Sequence, residues 1–173
     1  MKNHMPALAA LLLAAPAIAQ TPAPVCTPEL ATAARGATWA KWVKHVPAKA
    51  GGAVSGAPAV APGTAVRLTL LPVANIRFAA PQKADDKPLT GNGGIVAFAA
   101  PKAGRYRVAL ETGAWIDVLV NGRPATSVAH GHGEPCSGIR KIVDFDLPAG
   151  NHLIQISNNE KPETTLMVSG PTN

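Results

Sequence analysis

Arg105-Tyr106-Arg107-Val108-Ala109-Leu110, followed by Trp115-Ile116-Asp117-Val118-Leu119-Val120-Asn121-Gly122, is the passage that decides the fold. In the first run Tyr106, Val108 and Leu110 alternate with Arg105 and Arg107. In the second, Ile116, Val118 and Val120 alternate with Trp115 and Asp117. Residues two apart share a face of a strand, so each run has one apolar side to bury. Asn121-Gly122 accepts the left-handed backbone of a two-residue type I′ turn, which predicts an antiparallel return directly after Val120.

The same period of two extends both ways along the chain. Upstream, Val66, Leu68 and Leu70 alternate with Arg67 and Thr69, Ile76 and Phe78 flank Arg77, and Ile95 precedes Phe98. Downstream, Val143, Phe145 and Leu147 alternate with Asp144 and Asp146, Leu153 and Gln155 oppose Ile154 and Ile156, and Thr165, Met167 and Ser169 oppose Leu166 and Val168. Short strands divided by turn signals predict an all-β domain over residues 64–173, an antiparallel β-sandwich or jelly roll. Asp144 and Asp146 then lie on a solvated outer face. One connection recurs: Pro101-Lys102-Ala103-Gly104 leads into the strand at Tyr106, and Pro148-Ala149-Gly150 into the strand at Leu153. In both, proline ends one strand and glycine turns the chain into the next.

Before this domain the pattern differs. Lys2, the apolar stretch 7–15 and Ala17-Ile18-Ala19 have the layout of a secretory signal peptide, residues 1–19, cut after Ala19. A periplasmic or secreted product follows, and no later stretch has the roughly 20 apolar residues of a transmembrane segment. Residues 20–63 read as a helical and linker segment. Thr27-Pro28-Glu29 is a helix start, with an N-cap hydroxyl, a first-turn proline and an acid at the positive end of the dipole. Trp39, Trp42, Val43 and Val46 have helical spacing up to Pro47, with the tryptophans packing onto the sheet. Residues 48–63, almost all small or proline, read as a loop.

The chain has 173 residues, 47% hydrophobic, with Gly 16 and Pro 17, which excludes a disordered acidic tail or a multidomain enzyme. Its 16 Lys and Arg against 10 Asp and Glu give a net charge of +6 without a basic run, so no nucleic-acid partner is expected. Export places the two cysteines, Cys26 and Cys136, in an oxidising compartment, where they are expected to pair. The rival reading makes Cys136 a thiolate ligand beside His130 and His132.

Chemistry concentrates in Ala129-His130-Gly131-His132-Gly133-Glu134-Pro135-Cys136. In an extended segment His130, His132 and Glu134 face one side, and two imidazoles with a carboxylate suit Fe, Cu or Zn. The alternative is a glycine-rich surface loop tethered by the disulfide. His152, in Pro148-Ala149-Gly150-Asn151-His152, is either a fourth ligand or a histidine at the edge of the core, on the face of Ile154 and Ile156. Arg140 and Lys141 offer a cationic spot for an anionic ligand or balance the neighbouring acids. Trp115 offers an apolar contact to a carbohydrate. Ser137 lacks the strand–turn–helix setting of a nucleophile, and Asp85-Asp86 offers calcium few oxygens.

The stretch from Ala103 to Ser157, through Ala114-Trp115-Ile116-Asp117-Val118, Ala129-His130-Gly131-His132-Gly133 and Cys136-Ser137-Gly138-Ile139-Arg140-Lys141, resembles a family of small exported bacterial β-sandwich proteins often labelled homogentisate 1,2-dioxygenase. That label implies a non-haem iron site of two histidines and a glutamate, for which His130, His132 and Glu134 match by residue type. Their spacing departs from the cupin pattern, with Glu134 two residues after His132. Two functions are therefore expected. The first is a non-catalytic binding or cell-envelope accessory module for a small molecule, glycan or envelope component, with no cofactor. The second is a metal-binding protein or dioxygenase.

Overall fold

A computed structural model of the chain describes residues 25–82 and 88–172; the expected leader at 1–19 and the Asp85-Asp86 pair lie outside the described residues. Two sheets make up the fold. The six-stranded sheet runs β1 (Val46–Lys49), β2 (Ala65–Thr69), β11 (Glu163–Thr172), β5 (Gly104–Leu110), β9 (Lys141–Leu147) and β8 (Ser127–Gly131). The five-stranded sheet runs β3 (Leu71–Pro72), β4 (Asn92–Ala100), β10 (Gly150–Asn159), β6 (Trp115–Val120) and β7 (Arg123–Pro124). Every pairing is antiparallel except that of β1 with β2. This is the β-sandwich that the alternation predicts. Leu68, Val108, Leu110, Val143, Phe145 and Leu166 of one sheet meet Val96, Phe98, Ile116, Val118, Ile154 and Ile156 of the other in one buried core. The hairpin also forms: Val120 pairs with Arg123 across Asn121 (φ 51°) and Gly122 (φ 76°).

The outer face of the six-stranded sheet is partly ionic and partly apolar. Arg105 pairs with Asp146 (2.9 and 3.1 Å) and Arg107 with Asp144 (3.4 Å), each directly across the β5–β9 ladder. The balancing cations are thus these arginines, not Arg140 and Lys141. The hydrogen bonds from Arg105 hold the Asp146 carboxyl below its ordinary value of 3.8. A depressed acid stabilises the fold above its unfolded pKa, and that contribution fades as pH falls through the folded value. Titration of the Asp146 carboxyl resonance is expected to give a midpoint below 3.8, returning to the ordinary value in Arg105→Gln; an unshifted midpoint in the unaltered protein would contradict the pairing.

Helix α1 (Pro28–Arg35) starts as expected: the Leu30 N–H donates to Thr27 Oγ1 at 3.3 Å. This backbone and the Thr27 hydroxyl lower the pKa of Glu29 in the first turn. The second helical stripe does not form. Gly36 leaves the helix at φ 54°, and residues 36–44 pass through turns, with Trp42 N–H donating to Trp39 O at 2.8 Å. Only the tryptophans have an apolar surface to reach. They meet edge to face, 6.4 Å apart, and are buried with Ala65, Ala109, Ile142 and Met167, while Val43 and Val46 stay exposed.

Two other stretches differ from the sequence reading. Residues 48–63 are not a free loop. Besides β1, Gly51 exchanges two 2.9 Å hydrogen bonds with Ile95, and Val60 N–H donates to Ala97 O at 2.7 Å. The small residues there serve close packing, since a Cβ on Gly94 would collide with Ala50 Cβ. Ile76-Arg77-Phe78 is not a strand either. Val73–Asn75 form a 3₁₀ turn, Arg77 N–H donates to Gly52 O at 2.8 Å, and Gln155 binds Ala79 and Ala80. Gln155 alternates with the inward Ile154 and Ile156, so this segment lies over the outer face of the five-stranded sheet.

The repeated proline–glycine connections are two equivalent corners between the sheets. The first leads from β4 to β5, the second from β9 to β10, and they interlock: Gly104 pairs with Leu147 and Gly150 with Ala100. Two residues after each glycine a side chain donates back to the corner. Tyr106 Oη donates to Lys102 O at 2.8 Å and His152 Nε2 to Pro148 O at 2.9 Å, and both rings pack on Phe98 with centroids 5.8 and 5.4 Å away.

Candidate functional site

That symmetry gives His152 its role. It is 3% exposed, its Nε2–H donates to the Pro148 carbonyl and its ring packs at a tilt against Phe98, so it is the core-edge histidine of a corner. The opposite end of the sandwich carries the β5–β6, β10–β11 and β8–β9 connections. Between them lies a cavity of about 590 Å³, which adjoins a second of about 390 Å³. Both are lined by Glu111, Thr112, Arg140 and Lys161, so they form one groove.

The β8–β9 connection, residues 132–140, builds one wall. Gly133 N–H donates to Ile139 O at 3.1 Å, and a Cβ at Gly133 would come within 2.7 Å of Ile139 Cβ, so only glycine closes this loop so tightly. Cys136 is bonded to Cys26 across 110 residues, with Cα atoms 5.3 Å apart, as the export argument predicts. The thiolate-ligand reading of Cys136 is thereby overturned.

The loop also separates the residues grouped as metal ligands. The period of two ends with β8 at Gly131, and the chain then turns. His130 faces a different cavity from His132 and Glu134, which line the groove, and His152 sits in its distant corner. Among the described residues no three His, Cys, Asp or Glu side chains form a group able to hold a metal ion, so His130, His132 and Glu134 are not brought together as the two-histidine, one-carboxylate site that the resemblance implies. His132 Nδ1–H donates to Arg140 O at 2.6 Å, which holds the ring against the loop.

The floor of the groove is a hydrogen-bonded network that the sequence reading missed. Glu111 pairs with Arg67 and accepts from Thr165 N–H (3.1 Å) and Thr165 Oγ1 (3.0 Å). Thr112 Oγ1 bonds Asn159 Oδ1 and lies 3.0 Å from Thr164 Oγ1, while Asn159 Nδ2 donates to the Lys161 and Glu163 carbonyls. Asn158, at φ 55°, turns the chain and accepts from Thr90 N–H at 2.9 Å. The polar run Asn158-Asn159-Glu160-Lys161 signalled a turn but not what it would face. Arg140 and Lys161 project into this setting without an ion pair among the described residues.

Arg140 and Lys141, adjacent in sequence, part company. Lys141 has the parity of Val143 and Phe145 and turns between the sheets, where its Nζ lies 5.2 Å from the centre of the Trp115 ring. Burial lowers its pKa, opposed by the more distant charge of Asp117. The residues expected to form one cationic spot therefore serve two places, and Trp115 belongs with Lys141. No protein-family model matches the chain, and no curated protein matches it.

Proposed function

We propose that the chain is an exported, non-catalytic binding module that holds an acidic, hydroxyl-rich ligand, of the kind found in envelope glycans, in the groove at the disulfide end of the sandwich. The observation that supports this reading is the meeting of Arg140 and Lys161, neither engaged in an ion pair among the described residues, with the hydrogen-bonded Thr112 and Asn159 in one continuous groove. A guanidinium and an ammonium select carboxylates, while carboxylate, amide and hydroxyl groups on rigid turns match sugar hydroxyls. Loops presented on a fixed sandwich suit recognition, and a disulfide suits life outside the cytosol.

Calorimetry with an oligomer of a uronic acid and with its neutral counterpart tests the reading. The acidic sugar is expected to bind, and Arg140→Ala with Lys161→Ala to weaken it by about tenfold or more with little change in melting, since each charge-assisted hydrogen bond contributes about 1.5 to 3 kcal/mol. Absence of binding to either sugar, or unchanged affinity in the double variant, would refute it.

A further inference from the structure

A separate cavity of about 160 Å³ opens between β6 and the β8–β9 pair and shares no lining residue with the groove. Its apolar walls are Trp115, Ile116 and Val143; its polar groups are Ser127, His130 and Lys141. Lys141 is the unusual member. It is half-buried, its ammonium rests over the indole of Trp115, and among the described residues no carboxylate comes within ion-pair distance. The indole N–H beside it is shielded from solvent and has no acceptor.

A cation taken from water without a contacting anion costs free energy, and an aromatic face offsets only part of that cost. The fold has already removed part of this lysine's hydration. An entering anion gains its attraction at a reduced desolvation cost. Apolar walls beside the charge exclude a phosphate or a sugar acid and favour an alkyl chain.

We propose that this cavity binds a small aliphatic monocarboxylate, with its chain against Ile116 and Val143 and its carboxylate on Lys141. A cavity of about 150 Å³ accommodates a benzene-sized molecule, which sets the ligand at about six carbons.

The test is a nuclear magnetic resonance titration of the purified chain with hexanoate, hexanol and hexylamine, the Trp115 indole resonance being assigned through Trp115→Phe. Hexanoate is expected to move that resonance saturably. Hexanol should bind about tenfold or more weakly and hexylamine not at all, because the charge contact carries the selectivity. Lys141→Met should weaken hexanoate by about tenfold or more, whereas Arg140→Ala with Lys161→Ala should leave it unchanged. Should Lys141→Met not fold, Lys141→Gln takes its place in the same titration. The proposal fails if hexanoate shifts nothing, shifts only groove residues, is matched by hexanol, or binds the Lys141 variant as tightly as the parent.

Discussion

Loss of the Cys26–Cys136 disulfide is expected to destabilise the protein by about 2 to 5 kcal/mol, seen as a fall of about 5 to 15 °C in melting temperature. The bridge closes a loop of 110 residues that contains β1 to β8, so in the chain-entropy picture its removal releases a large denatured ensemble. It also has a local task. Cys136 sits at φ 70°, a region that residues with a Cβ enter at a cost, and the bond to Cys26 holds it there at the wall of the groove. Cys26→Ser with Cys136→Ser should therefore lose affinity for the acidic sugar as well as stability. Cys26→Ser with Cys136→Gly should melt higher than the serine pair, because glycine occupies left-handed backbone without strain. Melting curves of the three proteins, with and without reductant, decide it. Equal melting temperatures for oxidised and reduced parent would show that the bridge contributes nothing.

Strand identity was legible in the sequence because burial of one face writes itself as a period of two, and each of Val66, Phe98, Val108, Ile116, Phe145, Ile154 and Leu166 lies in the core. What resisted reading was anything settled by a distant segment. The alanine and glycine run at residues 48–63 has the composition of a linker, yet it pairs with β2 and β4 because Gly94 leaves room for Ala50. Trp39 and Trp42 kept helical spacing while Gly36 had already ended the helix. At the site, the loop containing His132, Glu134 and Cys136 was found by its unusual residues, and strand parity then failed at the point where the strand stops. Thr112, Asn159 and Lys161 carried no such signal. Their common groove exists only once the two sheet-crossing connections, β5–β6 and β10–β11, meet the disulfide loop.

Gln155→Leu is expected to cost about 3 kcal/mol, although it puts an apolar side chain of similar size into a fully buried position. Alternation along β10 marks Gln155 as an outward residue, and outward it is, but residues 79 and 80 lie on top of it. Its Oε1 accepts from Ala79 N–H (2.6 Å) and Ala80 N–H (3.1 Å), and its Nε2 donates to Ala80 O at 3.2 Å. The amide thus serves as a short length of neighbouring strand for a segment that has none. Ala79 is exposed, so in the leucine variant its N–H turns to water. Ala80 is buried; its N–H is left without a partner, at about 1 to 3 kcal/mol, and its C=O keeps only the 3.5 Å bond from Gln82 Nε2. Gln155→Glu separates the two directions of bonding. A carboxylate still accepts from both amides but repels the Ala80 carbonyl, and burial raises its pKa, so this variant should be most stable when protonated and lose stability as pH rises through the raised value. Chemical denaturation, with hydrogen exchange at the Ala80 amide, checks both. A leucine variant within about 0.5 kcal/mol of the parent would mean that the segment at residues 76–82 is held by its apolar side chains and not by this amide.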